Sequence, residues 1–277
     1  MTELKGKVAV VTGAASGLGR AMALAFADEG MNVALGDVAD VSDTFARVEA
    51  KGVSAIALRV DVSRQEDVER FAQLVDRDLG GADVVCNNAG VSPLAAAWEG
   101  SLGDWQWIVG VNLWGVIHGV RSFVPRLMAR GGGHVVNTAS VAGLISPPGS
   151  AAYNVTKHAV VAYSETLYHD LRERGSAVGV SVLCPAYVRT GIADSERNRP
   201  AGVEPSVKTK ETFAREQMLK KAVSSGRLSA DDVARAVVQA VKEDRFYVLT
   251  HPRIKGAIRA RMEDILEERA PRNPMTL

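Results

Sequence analysis

Cysteine is scarce in this chain: Cys86 and Cys184 are the only two among 277 residues. Each stands inside an apolar run, so both read as buried free thiols of a reducing compartment, and a disulfide framework is removed from consideration. The five histidines are scattered without zinc-ligand spacing, which argues against a zinc alcohol dehydrogenase, and no metal is expected. Charge of one sign is missing as well. With 33 Lys and Arg against 32 Asp and Glu the net charge is +1, no footprint for a nucleic acid. The longest apolar stretch, Ile108 to Met128, is interrupted by Asn112, His118, Arg121, Pro125 and Arg126, so it reads as a buried helix rather than a membrane span. No apolar leader precedes the first strand-like run, and the expected location is the cytoplasm, with no membrane partner.

What is present is apolar residue in quantity, 47% of the chain, enough for one large core, and residues 1–277 are read as a single domain. Short Val/Ala-rich runs recur along it: Lys7 to Thr12, Asn32 to Leu35, Ser54 to Arg59, Asp83 to Cys86, His134 to Thr138, Val178 to Leu183 and Phe246 to Leu249. Helical segments lie between them. Continuous apolar strands covered on both faces by crossover helices make an α/β fold, a doubly wound, seven-stranded parallel sheet of Rossmann-like type. In such sheets ligands bind at the carboxyl ends of the strands. Ser63-Arg64-Gln65-Glu66 and Ser229-Ala230-Asp231-Asp232 both read as helix N-caps. Residues 191–226 are rich in charge, Pro and Ser and are expected to form a substrate lid, and residues 252–277 a helical tail.

Three groups of residues carry chemistry. Directly after the first strand comes Thr12-Gly13-Ala14-Ala15-Ser16-Gly17-Leu18-Gly19, followed by a helical stretch. Glycine permits the tight turn and the close backbone approach that let a helix N-terminus face a pyrophosphate. Asp37 closes the second strand at the place where an acid accepts hydrogen bonds from the adenosine ribose, and its carboxylate would repel the 2′-phosphate of NADP. With only Val38 beside it to compensate, NAD is the expected cofactor and NADP the less favoured one. The third group is Tyr153-Asn154-Val155-Thr156-Lys157 at the start of a long helix. Four-residue spacing puts Tyr153 and Lys157 on one face, about 6 Å apart along the axis. A phenol titrates near ~10, and a neighbouring cation is expected to lower that value. Ser140, after the fifth strand, is on the same side of the sheet and can hydrogen-bond a substrate oxygen.

Taken together these residues resemble the short-chain dehydrogenase/reductase family over Lys7 to Leu249. The turn at Thr12 to Gly19 matches its cofactor loop, Asp61-Val62 its adenine-contacting pair, and Asn87-Asn88-Ala89-Gly90 the motif that borders the cofactor after the fourth strand. The resemblance implies a catalytic tetrad of Asn112, Ser140, Tyr153 and Lys157, with a water-mediated proton relay through the lysine. Lys157 would also hold the nicotinamide ribose. In Pro185-Ala186-Tyr187-Val188-Arg189-Thr190, the residues Pro185, Val188 and Thr190 would meet the nicotinamide end, with Ala186 where the family commonly has glycine. A homotetramer or homodimer is implied too. The expected activity is hydride transfer between NAD(H) and a secondary alcohol/ketone pair, with Tyr153 as acid and base.

By position, Ser92 to Leu94, Leu144, Ile145, Tyr187 and Ile192 are expected to line the pocket for a small-molecule, hydrophobic substrate. Arg197 and Arg199 read as a solvated charge run rather than an acid-binding pair. Ile254, Ile258, Ile265 and Leu266 are read as one apolar face of the tail helix. Two alternatives stand within the resemblance: an NADPH-dependent carbonyl or 3-oxoacyl reductase, against which Asp37 argues, and a non-catalytic dinucleotide-binding scaffold or sensor, against which Tyr153 and Lys157 argue. A hydrolase built on Ser140, His169 and Asp170 lacks the G-x-S-x-G turn.

Overall fold

The computed structural model describes residues 1–276. Seven parallel strands, β1 (Val8–Thr12), β2 (Asn32–Asp37), β3 (Ala55–Arg59), β4 (Val84–Asn87), β5 (Gly133–Thr138), β6 (Val178–Cys184) and β7 (Tyr247–Leu249), form one sheet in the order β3-β2-β1-β4-β5-β6-β7. Every expected strand is present, with ends shifted by at most two residues.

Alternation along the strands feeds two cores at once. In β1, Ala9 and Val11 join one apolar cluster while Val8 and Val10 join the other, and in β2 Val33 and Leu35 oppose Ala34 in the same way. The first cluster is closed by helices α1 (Gly17–Asp28) and α8 (Ala230–Glu243), through Met22, Phe26, Val233 and Val237. Opposite it lie α3 (Gln65–Leu79), α5 (Gly115–Ala129) and α6 (Ala151–Glu173). The α3 residues Val68, Phe71, Ala72 and Val75 are buried at helical spacing, and Phe71 meets Phe123 of α5 edge to face at 6.4 Å. The smaller helices are α2 (Ser42–Glu49), α4 (Leu102–Val109), α7 (Lys210–Ser224) and α9 (Ile254–Leu266).

Between α4 and α5 the backbone widens into a π-helical turn over Gly110–Trp114, so Leu102–Ala129 is one continuous helical run. By length and composition this run could cross a membrane, but it packs inside the fold, as expected for Ile108 to Met128. The two proposed caps differ. Ser229 makes a full capping box with Asp232, whereas Ser63 caps nothing: α3 begins at Gln65 after Arg64, and the Ser63 hydroxyl bonds instead to Asp61. In α9 the packed face is Ala257, Ala260 and Asp264, whose carboxylate accepts from Arg272 Nε, while Ile265 and Leu266 are exposed. The two cysteines are buried and free.

The strand order reverses between β1 and β4: from β1 the chain runs out to β3, then returns to the other side of β1. Helices leaving β1 and β4 diverge there, and the carboxyl ends of these strands open a crevice.

Candidate active site

A cavity of about 640 Å³ fills that crevice, running from Asp37 at one end to Tyr153 at the other. It is within the range of small-molecule sites.

At the Asp37 end, the chain leaves β1 through Gly13, whose φ of +69° suits glycine. A Cβ there would lie 2.9 Å from Ala89 Cα, and one on Gly19 would lie 2.0 Å from the Gly13 carbonyl oxygen, so the turn closes only with glycine at both places. Gly13, Ser16, Gly17 and Leu18 face the cavity, while Gly19 is behind them as a packing residue. Ser16 precedes α1 without a side-chain cap, and no acid stands in the first turn, so the positive end of the helix is left open. Asp37 Oδ2 accepts from Ala15 N at 2.8 Å and Oδ1 from Ala39 N at 2.9 Å, which fixes its carboxylate on the rim. Arg59, in register with Asp37 on β3, lies on the same wall, a positive charge the sequence reading had not placed there.

Buried polar side chains stitch the strand ends together beneath the floor. Thr12 Oγ1 accepts from Asn88 N and Ala89 N, Asn88 Nδ2 donates to Thr12 O, and Thr138 Oγ1 donates to Asn88 Oδ1. Asn88, Ala89 and Gly90 thereby meet the cavity as backbone held from three strands. Asp61 and Val62, beyond β3, also line it. The Asp61 carboxylate accepts from Ser63, and the Val62 carbonyl is held by His118 at 2.9 Å.

At the other end Ser140, Tyr153 and Lys157 converge on the wall. Ser140 follows β5 as the N-cap of a 3₁₀ turn, accepting from Ala142 N at 3.1 Å and donating to Pro185 O at 3.3 Å. Tyr153 and Lys157 stand on the first turns of α6, with the Lys157 ammonium 5.6 Å from the Tyr153 ring centre and donating to Thr138 O at 2.8 Å. Asn112 sits in the π-turn, fully buried and off the cavity wall. Its side chain accepts from Val91 N at 2.8 Å and donates to Val91 O at 2.9 Å, pairing a backbone that lines the cavity. A Cβ on Gly90 would be 3.4 Å from Asn112 Oδ1 and 3.7 Å from Lys157 Nζ, so the two side chains approach each other under Gly90. From the π-turn Asn112 thus reaches back to the loop after β4.

Electrostatics departs from the sequence expectation. Burial pushes the Tyr153 phenol above its ordinary value; the Ser140 hydrogen bond pulls it down, and the nearby Cys184 raises it slightly. Lys157 is not among the groups that shift it, and its ammonium donates to Thr138 O. Burial also lowers Lys157 to about 8.

The remaining wall carries Val91, Trp107, Val111 and, from the 191–201 segment, Ile192, Ser195, Arg197, Asn198, Arg199, Pro200 and Ala201. Pro185, Val188 and Thr190 are on it as expected, with Ala186 beside them. Leu144, Ile145 and Tyr187 lie off it. Ile145 is buried, Leu144 packs with Val116 and Ala139, and Tyr187 is 40% exposed; nor do Ser92 to Leu94 reach the wall. Arg199 is not part of a solvated run: its side chain is 11% exposed, pairs with Asp104 at 2.6 Å and Glu196 at 2.7 Å, and stacks on Trp107 at 4.5 Å. Asp104 Oδ2 also accepts from Ser206 N, and Ser195 Oγ accepts from Ser92 N. These links dock residues 191–206 onto α4 and the β4 loop, and no period or motif announces them. Among the described residues there is no group of three His, Cys, Asp or Glu side chains placed to hold a metal. His169 and Asp170 are exposed far along α6, away from Ser140.

Known proteins share this arrangement. Residues 7–201 match the family model described as short chain dehydrogenase. A 1-deoxy-11-beta-hydroxypentalenate dehydrogenase of Streptomyces exfoliatus is 37% identical over 95% of this chain and 89% of its own length. A C alpha-dehydrogenase of Sphingobium is 30% identical over 98% of this chain and 89% of its own. A crystal structure of a short chain dehydrogenase/reductase from Burkholderia phymatum, in complex with NAD, superimposes with a TM-score of 0.97 at 47% identity over the full length of both chains. The chain is an oxidoreductase of the short-chain dehydrogenase/reductase family.

Proposed function

We propose that this oxidoreductase transfers a hydride between NAD(H) and a hydrophobic secondary alcohol/ketone pair, with Tyr153 as the proton donor and acceptor. The observation that carries this reading is one continuous cavity with an anion-favouring glycine turn and Asp37 at one end and Ser140, Tyr153 and Lys157 at the other. The residues fit a dinucleotide. The turn at Gly13 leaves no room for a Cβ, the α1 N-terminus carries no internal counter-charge, and Asp37 presents oxygens that can also accept ribose hydroxyls.

When bound, the nicotinamide supplies or takes the hydride. In reduction, Tyr153 Oη gives its proton to the carbonyl oxygen as charge develops there, and Ser140 exchanges its 3.3 Å bond to Pro185 O for one to the same oxygen. In oxidation the same groups act in reverse. Lys157, cationic below about 8, favours the phenolate and has donors beyond the one given to Thr138 O, free for a ribose hydroxyl or a relay water. Asn112 positions Val91 and the ground under Gly90. The substrate meets Val91, Trp107, Val111, Ile192, Pro200 and Ala201, a mostly apolar wall.

Residues 191–226 act as a lid on this single domain, fastened through Arg199 and Asp104. Trp114, 49% exposed, and Val155, 52% exposed, leave apolar surface on the α5 and α6 side for a second subunit, in line with a homotetramer or homodimer in the cytoplasm. The test is titration with NADH and NADPH by fluorescence, followed by a screen of secondary alcohols with NAD. Tight NADH and weak NADPH binding is expected. Preference for NADPH refutes the role given to Asp37, and binding of neither refutes the dehydrogenase reading.

A further inference from the structure

The lid carries a cation to the mouth of the glycine turn. Arg197 Nη1 donates to Gly191 O at 2.7 Å and to Asp194 O at 2.8 Å, both within its own 3₁₀ segment Gly191–Asn198. These two bonds fold the side chain back on the segment and present Nη2 across the crevice, where it donates to Ser16 Oγ at 3.4 Å. That contact spans 181 residues of chain and is long for a hydrogen bond, a contact that a better acceptor would displace. Among the described residues no carboxylate claims this guanidinium: Asp194, an acid of the same segment, pairs with Lys220 at 2.8 Å, and Glu196 pairs with Arg199. Ser16 in turn leaves α1 uncapped, with no acid in its first turn. Gly17 completes the approach, since a Cβ on it would be 3.3 Å from Thr190 Cβ, immediately before the lid. A guanidinium and a positive helix end without a first-turn acid therefore face the same stretch of the cavity.

We propose that Arg197 grips the diphosphate of the bound dinucleotide and so couples cofactor binding to ordering of the lid over the substrate. The proposal rests on the NAD(H) reading above. A diphosphate offers the several charged acceptors that Ser16 Oγ does not, and Arg matches phosphate oxygens in a two-pronged way. The two lid carbonyls that hold Nη1 make the coupling mechanical: when the guanidinium is fixed by the ligand, residues 191 and 194 are fixed with it.

Calorimetric titration of the full chain, wild type and the variants Arg197→Gln and Arg197→Lys, with NADH, ADP and adenosine tests this, together with hydrogen exchange over residues 191–198. Arg197→Gln is expected to weaken NADH and ADP about tenfold or more while leaving adenosine unchanged. Arg197→Lys should recover part of the loss. ADP should protect 191–198 from exchange in the wild type and not in Arg197→Gln. Equal affinity of wild type and Arg197→Gln for ADP overturns the proposal while leaving the NAD reading intact, as does an equal loss on adenosine. Failure of the wild type to bind NADH or ADP overturns the underlying reading itself.

Discussion

Acid is expected to destabilise this protein through one histidine at the end of the sheet opposite the active site. His134 is the second residue of β5, is 1% exposed, and has Nε2 2.8 Å from Ser181 Oγ and Nδ1 3.6 Å from Asp244 Oδ1. Ser181 donates its own proton to Arg245 O, so His134 Nε2 must be the donor in their bond, and Nδ1 carries the lone pair of the neutral ring. The trio looks like a Ser-His-Asp triad, yet both Ser181 and His134 are sealed from solvent. Burial lowers the His134 pKa to about 4 against an ordinary 6.5; Asp244 offsets this only in part, and the N-terminal ammonium and Arg172 lower it further. Gly179 leaves no slack, for a Cβ there would be 2.3 Å from both His134 Nδ1 and Asp244 Oδ1.

The folded form binds a proton less readily than the unfolded chain, so the stabilisation is complete above pH 6.5 and is lost as pH falls toward 4. At about 1.4 kcal/mol for each pH unit of the gap, the loss is about 3 kcal/mol in full and about 2 kcal/mol at pH 5. That is a sizeable part of the roughly 5–15 kcal/mol that holds a domain folded. Urea denaturation at fixed protein concentration, at pH 7.5 and pH 5, measures it. His134→Gln keeps an N–H toward Ser181 but cannot titrate, and the wild type is expected to lose about 2 kcal/mol more than the variant between the two conditions. Parallel losses, or an NMR titration of His134 near 6.5 in the folded protein, refute the reasoning.

Two predictions concern the site itself. Tyr153→Phe removes the proton and little volume, so turnover should fall by about a thousandfold while NADH affinity, read by fluorescence, stays within about twofold; substantial residual activity removes Tyr153 from its role. Since Lys157 titrates at about 8, kcat/KM for ketone reduction should decline as pH rises through that value, and a profile flat to pH 10 shows that the lysine charge is not needed.

Most of the frame was legible because it is written in local terms. Strand alternation, the glycine turn and the Tyr153 to Lys157 spacing each depend on neighbours in the chain, and all appear where the pattern placed them. Ser63 shows where local reading fails: its sequence suits a cap, but Asp61 two residues back offers a stronger partner at 2.7 Å, and the helix starts without it. The segment from 191 to 206 was harder still. Arg199 looked solvated because its immediate neighbours are charged and polar; Glu196 among them is a partner, but Asp104 and Trp107, which bury it, come from α4 nearly a hundred positions earlier. Arg59 was missed for the same reason, since only the β2 to β3 register brings it beside Asp37. The pocket residues Leu144 and Ile145 fell off the wall because an apolar loop residue beside a sheet is as well served by the core as by a ligand.

The proton chemistry illustrates the limit most sharply. Spacing correctly put a lysine one helical turn from the tyrosine, and from that alone a lowered phenol pKa follows. What spacing does not contain is depth. The same helix that pairs the two groups sinks them against β5 and β6, where desolvation opposes charge on both, raising Tyr153 and lowering Lys157. The ammonium then turns to the Thr138 carbonyl, the nearest acceptor, and not to the phenol. At neutral pH burial therefore leaves Tyr153 protonated beside a still cationic lysine, the state suited to giving a proton to a ketone oxygen. Oxidation requires that proton to leave first. The positive nicotinamide of an oxidised cofactor would favour the phenolate in the same way as Lys157.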